Sequence, residues 1–259
     1  MAVWVLSSID AILDTAATNG PWSRVYAGQI AATTSATANS GYVTSQRFPT
    51  AMTMPAMTSV STFYLTHFRA VSSQAPVILL LADEYLLGTL NTGTNAFTDG
   101  VAMPSKLIEG ASTQTATQLA VAVVSTALGA STSALTITYT NQGGTANQTA
   151  TMTLPNSSAV NSAFMIDPHL ATNDTGIQDV TSLSVATTFT GVVKIYGLIV
   201  LGLAAQGTGA ASSSQAIGLD CLSAPIFPWP VAAADALGFY SFGTANAMDV
   251  VATIAGIGD

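Results

Sequence analysis

Apolar and hydroxyl-bearing residues alternate most clearly in residues 135–154, "LTITYTNQGGTANQTATMTL". Leu135, Ile137 and Tyr139 fall on one side of an extended chain, with Thr136, Thr138 and Thr140 on the other. After a turn, Ala150, Met152 and Leu154 alternate with Thr149, Thr151 and Thr153. A period of two predicts two half-buried strands, because successive side chains of a strand point to opposite faces. Asn141, Gly143, Gly144 and Asn147 supply turn residues for a connection longer than the tight two-residue type, and Pro155 ends the second strand.

The same reading extends over the middle of the chain. "STFYLTHFRAV", from Ser61, is aromatic and β-branched, as strands are. "APVILLLADEYLLGTL" reads as a buried run, an acidic break at Asp83-Glu84 and a second short run. "ATQLAVAVVSTAL" (116–128) suits helix or strand, and Val121, Val123, Val124 and Thr126 tip it towards strand. Leu183, Val185 and Phe189 resume the alternation, and the apolar run at 192–203 predicts a strand buried on both faces. Short strands punctuated by turn residues predict a mainly β fold, an antiparallel β-sandwich or jelly roll.

The N-terminal segment breaks that pattern. Ile9, Ile12, Leu13 and Ala16 fall at helical spacing, Ser7 or Ser8 can cap, Asp10 suits the positive end of the helix dipole, and Asn19-Gly20-Pro21 stops it. "AATTSATANSGYVTS" (31–45) has no periodicity and reads as an extended arm. "QGTGAASSSQ", from Gln206, reads as a Gly/Ser linker. These shifts divide the chain into a helix and arm (1–59), a β-sandwich core (60–206) and a C-terminal appendage packing on the core or on a neighbour (207–259).

Composition changes the picture in one respect. Only 7% of the 259 residues are charged, against about a quarter in ordinary globular proteins, while 49% are hydrophobic. Disorder is excluded, since disordered chains are poor in apolar residues. Nucleic acid is not the expected partner: the five bases, Arg24, Arg47, Arg69, Lys106 and Lys194, are scattered singly. So few charges predict that much of the surface is buried against other chains. The N-terminus lacks the basic region of a signal peptide, and the 192–205 run is short for a membrane span and holds Lys194. No membrane partner is expected.

Candidate chemistry is sparse. The single cysteine, Cys221, excludes an intrachain disulfide and a cysteine-rich zinc site. Phosphate-binding loops, a nucleophile elbow and a zinc-protease helix are all missing from the sequence. His67 falls in a strand. Asp167-Pro168-His169, near Asp174 and Asp179, could hold a cation but reads better as a turn. Asp83 and Glu84, adjacent on a strand, would face opposite ways and cannot flank one substrate. The expectation is no catalytic residue, no metal and no cofactor, hence no enzyme. Phe227-Pro228-Trp229-Pro230 sets two large rings in a rigid segment of the kind that fills a neighbour's pocket or packs in the core of its own subunit. With Trp4, Ile9, Ile12, Leu13 and Trp22 near the N-terminus, Phe227 and Trp229 are the interface candidates.

The hairpin "TYTNQGGTANQTATMTLP", with Leu79-Leu80-Leu81-Ala82-Asp83 upstream, resembles a pattern in structural proteins of tailed-bacteriophage virions, over roughly residues 60–205. Similar proteins often carry Gly-Arg where this chain has Asn147-Gln148. The resemblance implies a non-enzymatic virion component with a β-sandwich core, of the capsid decoration or cement type. It would be made in the cytoplasm of a bacterial host and sit on the capsid surface. Its partners would be the major capsid protein or other virion proteins, and copies of itself, as a trimer. A tail, neck or baseplate protein and a carbohydrate-binding adhesin module are the alternatives. An uncharged hairpin suits a permanent assembly, because hydroxyls and amides form hydrogen bonds without the cost of burying charge.

Overall fold

The structure is a computed structural model. It describes residues 22–30, 45–47, 60–72, 77–108, 112–206, 217–220, 230–232, 236–243 and 248–258, with side chains chiefly over 80–105 and 115–201. The predicted helix and the 31–44 part of the arm lie outside the described residues.

Strands account for nearly all regular structure among those residues. The first are β1 (Trp22–Ile30), β2 (Ser45–Arg47), β3 (Val60–Ser72) and β4 (Val77–Asn91). Next come β5 (Ala96–Asp99), β6 (Lys106–Ile108), β7 (Ser112–Gln114) and β8 (Leu119–Thr126). The hairpin is β9 (Ser133–Asn141) and β10 (Gln148–Leu154). After it follow β11 (Ala163–Met165), a 3-10 turn at Asp167–His169, β12 (Ile177–Val185) and β13 (Val192–Gln206). The last are β14 (Ile217–Asp220), β15 (Pro230–Ala232), β16 (Ala236–Gly243) and β17 (Met248–Gly258). All the pairings are antiparallel.

The mainly β, antiparallel sandwich expected from the pattern is what forms. A seven-stranded sheet runs β11-β8-β13-β4-β16-β2, with β5 beside β4. A three-stranded sheet, β10-β9-β12, packs across one of its faces. The core between them joins Leu135, Ile137 and Tyr139 of β9 and Ala150, Met152 and Leu154 of β10 to Leu87, Ala122, Val124, Val193 and Ile195 opposite. Every second residue of β9 and β10 is buried, so the period of two read from the sequence is the burial pattern of the hairpin. The ambiguous 116–128 stretch contains a strand, as its β-branched residues indicated.

A second core lies on the other face of the large sheet: Leu80, Ala82, Val121, Val123, Ala163, Tyr196, Leu198 and Tyr240. Cα atoms of β2 and β11, at opposite ends of that sheet, come within 8 Å of each other, so the sheet curls around this core. Strand β13 therefore has apolar neighbours on both faces, which explains its hydrophobic run, broken by the charge of Lys194 alone. Gly197 is needed there, because a Cβ would lie 2.6 Å from Thr117 Cγ2 and 2.7 Å from Met103 Sδ.

Two readings are corrected. The acidic pair does not interrupt a strand: β4 runs through it, and Asp83 and Glu84 are 1% and 8% exposed. Both are held inside because β4 is a central strand, between β13 and β16. The carboxylates accept hydroxyl hydrogen bonds, Asp83 Oδ2 from Tyr85 and Glu84 Oε2 from Tyr240, each at 2.7 Å. They do face opposite ways, as strand geometry demands. The pattern also missed β1, which pairs along β17, the middle strand between β1 and β3 of a third sheet.

Truncating Ile137 to Ala should cost about 2–5 kcal/mol through lost burial and the cavity left behind. Thr149→Ala, one strand away on the outer face, should change stability by less than about 0.5 kcal/mol. Urea unfolding midpoints of the two variants check the contrast.

Candidate assembly surface

The functional candidate is the outer face of the β10-β9-β12 sheet. Because the apolar residues of these strands turn inward, the alternate residues give rows of hydroxyls outside. The register sets Thr151, Thr136 and Ser184 in one row, and Thr149, Thr138 and Ser182 in the next. Thr149 and Thr151 are exposed, and Thr136 and Thr138 are half-buried. Asp179 is the one charged residue in the three strands. The large apolar side chains exposed among the described residues are Val101, Val160 and Met165, and none belongs to this sheet. Here, then, the apolar half of the hairpin is used within the chain, and what faces outward is a hydroxyl surface.

A polar network fixes one end of the sheet. Asn141 Oδ1 accepts from the backbone N–H groups of Gly143 and Thr145 at 3.0 and 2.9 Å, shaping the turn that the Asn and Gly residues predicted. Gly144 and Asn147 take positive φ, 78° and 60°, which Gly and Asn tolerate. The Asn141 amide Nδ2 donates to Asp174 Oδ1 at 2.7 Å, and the Tyr139 hydroxyl donates to Asp174 Oδ2 at 2.6 Å. That hydroxyl in turn accepts from the N–H of Ala171 at 2.9 Å. Gln142 closes the network, donating to Asn173 O and accepting from the N–H of Thr175. The loop before β12 is thereby tied to the hairpin. Burial, reinforced by the bond to Asp174, pushes the Tyr139 hydroxyl up to about 12.

The two edges of the sheet differ. Along β12, backbone groups on the side away from β9 are occupied by loops. Met103 N–H donates to Gln178 O at 2.7 Å, Ile177 N–H to Thr117 Oγ1 at 3.0 Å, and Val185 N–H to Asn95 Oδ1 at 2.9 Å. On the far side of β10, no strand pairs among the described residues.

The residues singled out from the sequence are placed as follows. Trp22 opens β1, opposite Ala255 of β17. Trp4, Ile9, Ile12, Leu13, Phe227 and Trp229 lie outside the described residues. His67 pairs with Asp220 and Thr253 in the third sheet. The acids considered for a cation are dispersed. Asp174 serves the network above, Asp179 sits opposite Thr140, and Asp167 Oδ2 accepts from the Ala120 N–H at 2.9 Å. Among the described residues, no group of three His, Cys, Asp or Glu side chains could hold a metal ion. The Tyr139–Asp174 link was missed, although a tyrosine on an apolar face signals it, since a buried hydroxyl needs a partner.

No family model matches the chain, and no curated protein matches it. Among solved structures, "Structure of infectious bursal disease virus Gt strain" aligns over 98% of this chain and 88% of that one. Identity is 9% and the TM-score 0.14, a likeness too slight to carry an argument.

Two titrations test these contacts. Tyr139 has a raised folded pKa, so its contribution is complete below about pH 10 and is lost as pH rises towards 12. Tyr139→Phe should cost about 1–3 kcal/mol at neutral pH and flatten that alkaline loss, read from urea midpoints across the range. Burial raises Asp167 above its ordinary value, against the pull of the Ala120 N–H. The native state therefore favours the protonated acid, and its contribution falls as pH rises through the folded pKa. Asp167→Asn, which keeps an acceptor for Ala120, should gain stability relative to the parent between about pH 3 and pH 7.

Proposed function

We propose that this chain is a non-enzymatic structural component of a tailed-phage virion, a decoration or cement protein on the outer capsid surface. It acts through protein–protein contacts with the major capsid protein and with copies of itself. The observation that carries this reading is the sheet β10-β9-β12. Its apolar side is consumed within the sandwich, its outward side bears hydroxyls with almost no charge, and one edge has no described strand beside it. Such a surface can be dehydrated at an interface at low cost, since hydroxyls re-form hydrogen bonds with a neighbour and no ion loses its water. The sequence resemblance centred on the same hairpin adds the virion setting. A trimer is part of that resemblance and belongs to the proposal only as an expectation.

Because β1 and β2 pair within two sheets, deleting the N-terminal segment would remove strands as well as any contact. The full chain should be used instead. Antibody-gold labelling of virions of the phage that encodes it should decorate capsids. Label confined to tails would move the protein to the tail, neck or baseplate, and unlabelled virions would overturn the reading. Amide exchange of residues 133–154 should slow on the particle, and free exchange there would remove this sheet from the contact.

A further inference from the structure

The buried carboxylate of Glu84 takes no part in the hydroxyl surface, and its surroundings fit a single placement of β16. Strand β16 lies between β4 and β2 in the large sheet. It runs along β4 from Ala236, opposite Glu84, to Gly243, opposite Val77, without a register shift. The Tyr240 hydroxyl donates to Glu84 Oε2 at 2.7 Å. The same carboxylate lies over Gly238, where a Cβ would collide with Oε2 and stand 2.8 Å from Cδ. We propose that Glu84 is a positioning residue that locks the register of β16 and, through β16, holds β2, so that the two strands form one clasp.

The lock works by shape and by hydrogen bonding. A slip of one residue turns every side chain to the opposite face, and it would take Tyr240 out of the apolar core of Leu80, Ala82, Val121 and Leu198. A slip of two keeps the faces, so apolar packing alone does little to prevent it. That slip would set Ala236 or Tyr240 where Gly238 now lies, and either brings a Cβ against the carboxylate. The other glycine of β16, Gly243, is five positions away, so no slip by an even number puts it there. The same slip would carry the Tyr240 hydroxyl roughly 7 Å along the strand, away from Glu84. A buried acid adds little stability compared with an apolar residue, but it penalises every arrangement that takes away its donor.

The clasp follows from the order of strands. β2 pairs with β16 at Tyr240, Ser241 and Phe242, which stand opposite Arg47, Gln46 and Ser45. Tyr240 therefore has Leu80 on one side and Arg47 on the other, and the residue that donates to Glu84 stands in both ladders. Releasing the lock loosens β16 and takes from β2 its partner in the sheet. The hairpin β9-β10, in another sheet, is not part of that unit.

Hydrogen exchange of the full chain, read by mass spectrometry, tests the clasp. Tyr240→Phe removes the donor and keeps the ring, and Gly238→Ala sets a methyl against the carboxylate. Each should speed exchange of residues 236–243 and 45–47 together, about tenfold or more, while residues 133–154 keep the parent rate. Glu84→Gln keeps the shape and an acceptor for Tyr240, and should exchange as the parent does. Faster exchange at 236–243 with 45–47 unchanged overturns the clasp. An equal rise at 133–154 reduces Glu84 to an ordinary core contact, and no rise in either variant overturns the proposal. Disulfide trapping with Cys221 replaced by Ser reads the register directly. Leu79→Cys with Ser241→Cys, opposed in this register, should cross-link on mild oxidation. Val77→Cys with Ser241→Cys, opposed only after a slip of two, should cross-link only once Glu84→Ala is added. Absence of that slipped cross-link in a folded Glu84→Ala chain overturns the lock; if that variant does not fold, the exchange of Tyr240→Phe decides.

Discussion

The antiparallel pairing of β13 with β4 and β8 is the constraint on which the other layers depend. This ribbon separates two apolar cores and is one wall of each. On one face, Val193 and Ile195 receive the hairpin and β12. On the other, Tyr196 and Leu198 sit in the hollow made as the large sheet curls. The register shift between Ile195 and Tyr196 leaves Leu87 of β4 without an opposite residue, and such bulges increase twist and bend a strand. A sheet with two covered faces favours apolar residues at most positions, and β13 has them apart from Lys194, its glycines and the terminal Gln206. At Gly197 the backbone approaches Thr117 and Met103 closely.

Placing carboxylates in that ribbon is costly unless they are hydrogen-bonded. Glu84 lies on the side of Leu80, Ala82 and Tyr240, where the Tyr240 hydroxyl donates to it. Room for its carboxylate comes from Gly238 on β16, where a Cβ would collide with Glu84 Oε2. Tyrosine hydroxyls thus recur as the partners of acids: Tyr240 for buried Glu84, Tyr85 for buried Asp83 and Tyr139 for half-buried Asp174.

Low charge has the same logic on the outside. A Thr row on a sheet keeps the outer face hydrogen-bonding and the strand β-branched, so it serves strand propensity and surface polarity together. A sheet dressed in this way tolerates water and tolerates a neighbour. Its edges differ among the described residues: β12 is closed by side chains and loops, and no strand pairs along the far side of β10.

The sequence by itself determined the strands of the hairpin, its turn, its buried side and the outward threonines, because these depend on a period of two and on the φ preferences of Gly and Asn. It also pointed to β13 as a strand through its apolar run, and β-branching tipped the ambiguous stretch of β8 the same way. It did not show β1, whose residues carry no clear alternation and are held by the backbone ladder of β17. Nor could it show that β4 runs through Asp83 and Glu84. Charge in a strand reads as exposure until the distant hydroxyl of Tyr240, 156 residues later, is brought beside it. The candidate surface divides in the same way: its chemistry is local and legible, whereas its place beside the large sheet depends on long-range packing. Local periodicity sets which way a side chain points, and only long-range pairing decides what it meets.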